Sequence, residues 1–271
     1  MATARSAPGW DPGQYLRYAD ERSRPFVDLM ARVHVESPQL VVDLGCGPGT
    51  LTRTLAERWP AAQVIGVDSS SEMIEAAAAP SELSDRLMYV CADLRDWQPE
   101  SAPDVVVSNA AFHWIPDHLG LIGQIAGWVR PGGAFAMQVP ANFDAASHTV
   151  IHDVSDSPRW RERLAGARSD DAGVAEPAQY LAALNAAGLE PDVWQTTYFH
   201  VLHGEDPVLN WIKGTALRPA LTALAEADDA GATEVFLAEC GTALREAYPV
   251  SAAGTVFPFR RTFAVGHRAA A

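Results

Sequence analysis

Residues 39 to 49 read QLVVDLGCGPG, an apolar run that breaks into three glycines, Gly45, Gly47 and Gly49, separated by single residues. The next segment, TLTRTLAERW at 50 to 59, places its apolar residues at helical spacing, and QVIGVD at 63 to 68 is a second β-branched run closed by an acid. A buried strand, a tight turn, a helix and another buried strand, in that order, form the repeating unit of a parallel sheet covered on both faces. The alternation runs on through SSEMIEAAAA, RLMYVCADL, DVVVSNAAF, DHLGLIGQIAGWV, the turn RPGG and the strand AFAMQVP. The first half of the chain is therefore expected to be an α/β domain with a doubly wound, mostly parallel sheet.

With 271 residues and 48% hydrophobic composition, the chain can bury one sizeable core. Its apolar stretches are short, and MATARSAPGWDPGQYL at the N-terminus contains no apolar leader core, so neither membrane insertion nor secretion is expected. Cys46, Cys91 and Cys240 lie far apart with no C-x-x-C pair, which fits a reducing, cytoplasmic setting and argues against a disulfide frame or a zinc site. A net charge of -14 would repel a phosphate backbone, so nucleic acid is not expected as a partner.

After Pro140 the pattern changes. Residues 141 to 176 are polar, Ala-rich and poorly periodic; PAQYLAALNAAGLE then reads as a helix with Pro177 near its start and Gly188 at its stop, and PDVWQTTYFHVLH as a strand. DPVLNWIKGTALRPALTALA and ATEVFLAECGTALREAY read as two or three helices, and TVFPFRRTFAVGHR closes the chain as a strand. The expected organisation is an entry segment at 1–30 and a core at 31–140. A variable segment leading to a helix and a sixth strand follows at 141–205, then a helical cap at 206–250 and a returning strand at 251–271.

Glycines at 45, 47 and 49 allow positive φ and bring a ligand close to the main chain. A dinucleotide fingerprint would be G-x-G-x-x-G, with backbone N–H groups facing a pyrophosphate. Here the spacing is G-x-G-x-G, and Asp43 just before the turn would repel a pyrophosphate but attract an amino group, so a cationic nucleoside is favoured over NAD. Asp68 closes the second strand, where an acid can accept hydrogen bonds from ribose hydroxyls. Asp93 follows the third strand and suits an adenine amine, and Asn109 ends the fourth. Open α/β sheets bind ligands at this carboxyl edge.

These motifs resemble the class I S-adenosylmethionine-dependent methyltransferases, whose first motif is matched by VVDLGCGPG. The resemblance implies a Rossmann-like seven-stranded sheet in the order 3-2-1-4-5-7-6. It also implies S-adenosyl-L-methionine as cofactor, S-adenosyl-L-homocysteine as its product, and no metal. Cofactor contacts carry over to Asp43, Gly45, Cys46, Gly47, Gly49, Asp68, Ser69, Met73, Asp93, Leu94 and Asn109. Outside the common motifs, WDPGQYLRYADERSRP, RDWQPE, HWIPDHL, VWQTTYFHVL, GTALRP and FRRTFAVGHR are similar to the trans-aconitate methyltransferase family along nearly the whole chain, with residues 144 to 176 the least alike. This implies esterification of one carboxylate of a small tricarboxylate, an anionic substrate.

A carboxylate with pKa near 4 is already ionised at neutral pH, so no general base is expected. Cations and donors are needed instead, and the arginine fork suits a carboxylate. The candidates are Arg218 and Arg261, with His113, Trp114 and His200 as positioning groups and Trp211 beside them; Tyr15, Tyr18, Arg22 and Arg24 lie on the entry segment. Each has a structural alternative. His200 could be a hydrogen-bonded interior imidazole, Arg218 a helix-start residue paired to an acid, and Tyr15 with Tyr18 a plain hydrophobic staple. Strand alternation lets only one of Arg260 and Arg261 face a ligand, and Arg261 is preferred. Trp59, Trp97, Trp128 and Trp160 read as packing residues, with Trp10 near the entrance. Rival functions are methylation of another small acid or of a carrier-bound malonyl ester by the same fold, and non-catalytic cofactor binding.

Overall fold

The central strands are buried on both faces, which is why their sequences read as unbroken apolar runs: Val41, Val42 and Leu44 are all 0% exposed, as are Val105, Val106 and Val107. They belong to a computed structural model that describes residues 19–78, 82–83, 85–165, 167, 173–226 and 230–271. β1 (Leu40–Leu44) pairs in parallel with β2 (Gln63–Asp68) and β4 (Val105–Asn109). β2 pairs in parallel with β3 (Leu87–Cys91), and β4 with β5 (Ala134–Pro140). β6 (Glu190–Leu202), β7 (Val250–Ser251) and β8 (Gly254–His267) complete the set, and β8 runs antiparallel to β5. The sheet order is β3-β2-β1-β4-β5-β8-β6, which is the expected order of seven strands. The two-residue β7 pairs with β8 and adds an eighth strand among the described residues.

The chain forms two compact units. Among the described residues, the larger takes in 19–140, 173–196 and 261–271, and the smaller 141–167 and 197–260. In the larger unit α1 (Ala19–Met30) precedes the first strand, and α2 (Thr50–Arg58), α3 (Ser71–Ala77) and α4 (His118–Ala126) lie between strands in sequence. The core packs Val42, Leu44, Val106, Phe112, Ile122 and Phe135 in one buried cluster. At about 25 cal/mol per Å² of apolar surface removed from water, such burial is the main force holding the unit. At the amino ends of the strands, the Asp104 carboxylate accepts the N–H groups of Gln39 and Leu40 and pairs with Arg130 at 3.1 Å.

In the smaller unit, α5 (Ala146–Ser155) forms inside the stretch expected to be irregular. Its period is weak, and tertiary contacts supply what is missing: Ser147 N–H donates to the Tyr248 hydroxyl at 3.0 Å and Ile151 is buried. The run DPVLNWIKGTALRPALTALA divides into α7 (Pro207–Lys213) and α8 (Arg218–Glu226). Pro219 has no N–H and clashes with a preceding helical turn, so it is tolerated at the start of a new helix and not inside a continuing one. α9 (Ala230–Ala247) follows. Trp160 is fully buried, sets its ring edge-on to Phe236 and donates Nε1–H to Glu239 at 2.6 Å. In the larger unit, α6 (Pro177–Ala186) carries the start and stop read from the sequence, Pro177 in its first turn and Gly188 at φ +77. Among the described residues no helix is long and apolar enough to cross a membrane.

Candidate functional site

All three loop glycines adopt positive φ, at +75, +52 and +74, but for different reasons. A Cβ on Gly45 would stand 2.2 Å from the Ala111 Cβ, and one on Gly49 would meet the Tyr89 hydroxyl at 2.4 Å and Ala77 at 2.9 Å. A Cβ on Gly47 would meet nothing within 4 Å. The outer two glycines are therefore demanded by packing, and only Gly47 borders open space.

The loop's amides are engaged within the protein. Gly45 N–H and Cys46 N–H both donate to the Val67 carbonyl, at 2.8 and 3.1 Å, and Gly49 N–H donates to the Cys46 carbonyl at 3.1 Å. Gly47 N–H donates to Asp68 Oδ2 at 2.9 Å. A pyrophosphate cradle needs such groups directed at the ligand, so this geometry disfavours a dinucleotide. Asp43 beneath the turn is 2% exposed and accepts the Thr52 hydroxyl at 2.7 Å. Burial, reinforced by the charge of Asp68, pushes its carboxyl from 3.8 up to about 6, with the Thr52 bond opposing the rise. At neutral pH it is an anion under a narrow turn, suited to a cationic group. The Cys46 thiol is pushed upward by burial and then by Asp43 and Asp68, which leaves it an inert packing group.

Asp68 also accepts Ser70 N–H at 2.9 Å, so each of its oxygens holds one backbone donor and keeps one lone pair. Asp93 is gripped by Arg95 through Nε at 2.9 Å and through Nη2, which holds its carboxyl below the ordinary range. Leu94 and Met73 are buried at 7% and 4%, and Ser69 is exposed.

At the carboxyl ends of β4 and β5, Asn109 stands directly opposite Gln138. Gln138, fully buried, donates Nε2–H to Asn109 Oδ1 at 2.6 Å and accepts from Arg261 Nη1 at 3.0 Å. Arg261 is 5% exposed and sits opposite Pro140 on β8. The neighbouring Arg260 points elsewhere, to the Ala141 carbonyl and Asp144. Gln138 was missed in the sequence, although an amide inside the apolar strand AFAMQVP was a usable signal. His113 and Trp114 lie on a single 3₁₀ turn, Phe112–Trp114, with His113 8% exposed, Trp114 51% exposed and their ring centroids 4.6 Å apart.

The remaining candidates belong to the smaller unit or fall outside the description. His200 is buried against Trp211, centroids 4.9 Å apart, and Trp211 packs on Phe257 and Phe259. Arg218 opens α8 and is half-buried. Tyr15 and Tyr18 lie outside the described residues, as does Trp10; the Arg22 side chain does too, although its backbone is part of α1. Trp59 donates Nε1–H to the Val35 carbonyl at 3.1 Å, and Trp97 packs edge-on to Trp128. Among the described residues no group of three or more His, Cys, Asp or Glu could hold a metal ion.

The methyltransferase-domain family matches residues 41–133, the strands and turn that carry these acids. A trans-aconitate 2-methyltransferase of Streptomyces avermitilis is 51% identical over 98% of this chain and 99% of its own length. One of Streptomyces coelicolor is 49% identical over 97% and 88%. Among solved structures, coclaurine N-methyltransferase bound to N-methylheliamine and S-adenosylhomocysteine shares the fold, with a TM-score of 0.54 at 16% identity over 91% of this chain and 73% of that one. Similarity of this extent and level to named relatives places the chain in the trans-aconitate 2-methyltransferase family, a group of methyl-transferring enzymes with the class I fold.

Proposed function

We propose that this enzyme methylates one carboxylate of trans-aconitate, a small tricarboxylate, to the monomethyl ester, using S-adenosyl-L-methionine and releasing S-adenosyl-L-homocysteine. The observation that carries the reading is the near-full-length similarity to relatives bearing that activity in their names. The carboxyl edge of the larger unit supports it. Asp43 and the open side of Gly47 fit an aminoacyl end, Asp68 retains lone pairs for ribose hydroxyls, and Asp93 with the Leu94 segment fits an adenine. Ser69, Met73, Cys46, Gly45 and Gly49 shape that surface. When bound, the cofactor supplies a methyl group on a sulfonium, an electrophile that needs no metal.

The acceptor carboxylate is ionised at neutral pH, so the protein's task is to bind and align it. Ordering two reactants can contribute roughly 7 to 11 kcal/mol of the barrier reduction. We assign Arg261 as a carboxylate anchor and His113 with Trp114 as positioning groups. Arg218, His200, Trp211, Arg22, Tyr15 and Tyr18 are further acceptor contacts on the strength of the family resemblance. Segment 1–30 is assigned to ligand entry, 206–250 to acceptor choice, and 251–271 to the strand that brings in Arg261. We assign the protein to the cytoplasm, a setting that the free thiols of Cys46, Cys91 and Cys240 fit.

The test is a screen of small di- and tricarboxylates with labelled cofactor. A methyl ester formed from trans-aconitate is the expected product. Cofactor binding by calorimetry with no methylated small acid would overturn the reading.

A further inference from the structure

Arginine can only donate hydrogen bonds, and this fixes the direction of every bond in the chain it begins. Because Arg261 Nη1 faces Gln138 at 3.0 Å, the Gln138 atom there must be the carbonyl oxygen. Its Nε2 therefore turns toward β4, where it meets Asn109 at 2.6 Å, and the Asn109 atom receiving it must be Oδ1. Both amide orientations, ambiguous in most structures, are settled by chemistry. The register supports the relay: Asn109 and Gln138 are directly paired across β4 and β5, and Arg261 sits diagonally on β8, opposite Pro140, within reach of a long side chain.

What remains of Asn109 is one lone pair of Oδ1 and Nδ2 with its two N–H groups, on a residue half-buried at the sheet's carboxyl edge. An asparagine at such a position could in principle offer either its oxygen to an amine or its nitrogen to an oxyanion. Here the oxygen is turned to Gln138 with one lone pair taken, so the two N–H groups are the larger share of the hydrogen-bonding capacity left on the side chain. We infer that Gln138 is a positioning residue which locks Asn109 as a hydrogen-bond donor to a carboxylate of the bound ligands. The inference deepens the proposed reaction and rests on it, since that reaction brings two carboxylate sources to this edge, the acceptor acid and the aminoacyl end of the cofactor.

Asn109→Asp is the sharpest test. The variant is isosteric and can still accept from Gln138 through one oxygen, but replaces the outward N–H groups with a charged oxygen. Its affinity for the carboxylate concerned should fall roughly tenfold or more, since a charge-assisted bond becomes a repulsion. A raised KM for trans-aconitate at unchanged cofactor Kd assigns the acceptor, and a raised cofactor Kd assigns the aminoacyl carboxylate. Unchanged values, or tighter cofactor binding as expected for a contact to an amine, would overturn the inference.

Gln138→Glu tests the positioning role separately. The substituted carboxylate accepts from Arg261 but has no proton to give Asn109, whose amide is then free to turn over. The same constant should worsen as in Asn109→Asp, with the other constant near its wild-type value. A purely structural role would instead lower the melting temperature and degrade both constants together, and that result would also overturn the inference. If the wild-type enzyme methylates no small carboxylate, the proposed reaction fails. If it does and both variants behave as wild type, only the relay fails.

Discussion

Thr52 Oγ1 donates a 2.7 Å hydrogen bond to Asp43 Oδ2, and neither side chain has more than 2% of its surface in water. The bond comes from the first turn of α2 and reaches back under the glycine turn, so the helix that follows the turn also sets the charge beneath it. Burial still dominates, and the Asp43 carboxyl titrates near 6 instead of 3.8. A folded-state pKa above the unfolded one means the folded protein holds the proton more tightly. Asp43 therefore contributes most to stability below about pH 4, and that contribution is lost as pH rises through about 6, on the order of 3 kcal/mol in all. Cofactor binding should run in the opposite direction. If Asp43 meets the cofactor's ammonium as an anion, Kd is flat above about pH 6.5 and rises as pH falls below about 6. Calorimetric titration from pH 5 to 8 reads this, and Thr52→Val, which removes the stabilising donor, should move the inflection to higher pH.

The glycine turn yields a second prediction because its three glycines do different work. Gly47→Ala places a methyl in open space at φ +52, which should cost stability about 1 to 2 kcal/mol and weaken the cofactor by tenfold or more. Gly45→Ala drives its methyl into Ala111 and should destabilise the fold more than Gly47→Ala does. The pair Gly45→Ala with Ala111→Gly should recover part of that loss. Denaturant melts alongside cofactor titrations separate the two effects.

The ion pair between Arg95 and Asp93 is largely exposed, with side chains 62% and 34% accessible. Pairs of this kind add little to stability, so Arg95→Ala should leave the melting temperature nearly unchanged. Asp93→Ala should weaken cofactor binding, because it removes the acceptor assigned to the adenine amine. Equal cofactor affinity in wild type and Asp93→Ala would remove Asp93 from the site.

His118 and Tyr180 provide a control away from the reacting edge. Their Nε2 and hydroxyl lie 2.8 Å apart in the core, and the same hydroxyl accepts Ala175 N–H at 3.2 Å. Tyr180→Phe leaves both partners unsatisfied and should cost about 1 to 3 kcal/mol, with kcat/KM at low temperature unchanged. Burial lowers the His118 pKa, so its neutral form is favoured in the fold. That contribution is present at neutral pH and above and is lost on acidification, the reverse of Asp43.

The parallel sheet was readable because β1, β4 and β5 are covered on both faces and must be apolar throughout, and the turn because only glycine adopts three positive φ values so closely spaced. Asp43, Asp68 and Asp93 were readable for a related reason: an acid that interrupts or ends an apolar strand must have a purpose or a partner. The break between α7 and α8 at Gly214–Leu217 was less clear, since helical spacing continues across it and only the proline betrays it. α5 was invisible, because its order comes from Tyr248, about a hundred residues away.

The alternation of strands and helices and the positions of the acids were thus determined by the sequence itself, through local patterns in which each residue reports its own environment, while the strand order followed from the family resemblance. The division of labour among Gly45, Gly47 and Gly49, the elevated pKa of Asp43 and the amide relay from Arg261 through Gln138 to Asn109 were decided only by tertiary structure. Each depends on the distance between side chains from separate strands or helices. Hydrogen-bond direction and the cost of burying a charge are set by those distances, and no spacing along the chain encodes them.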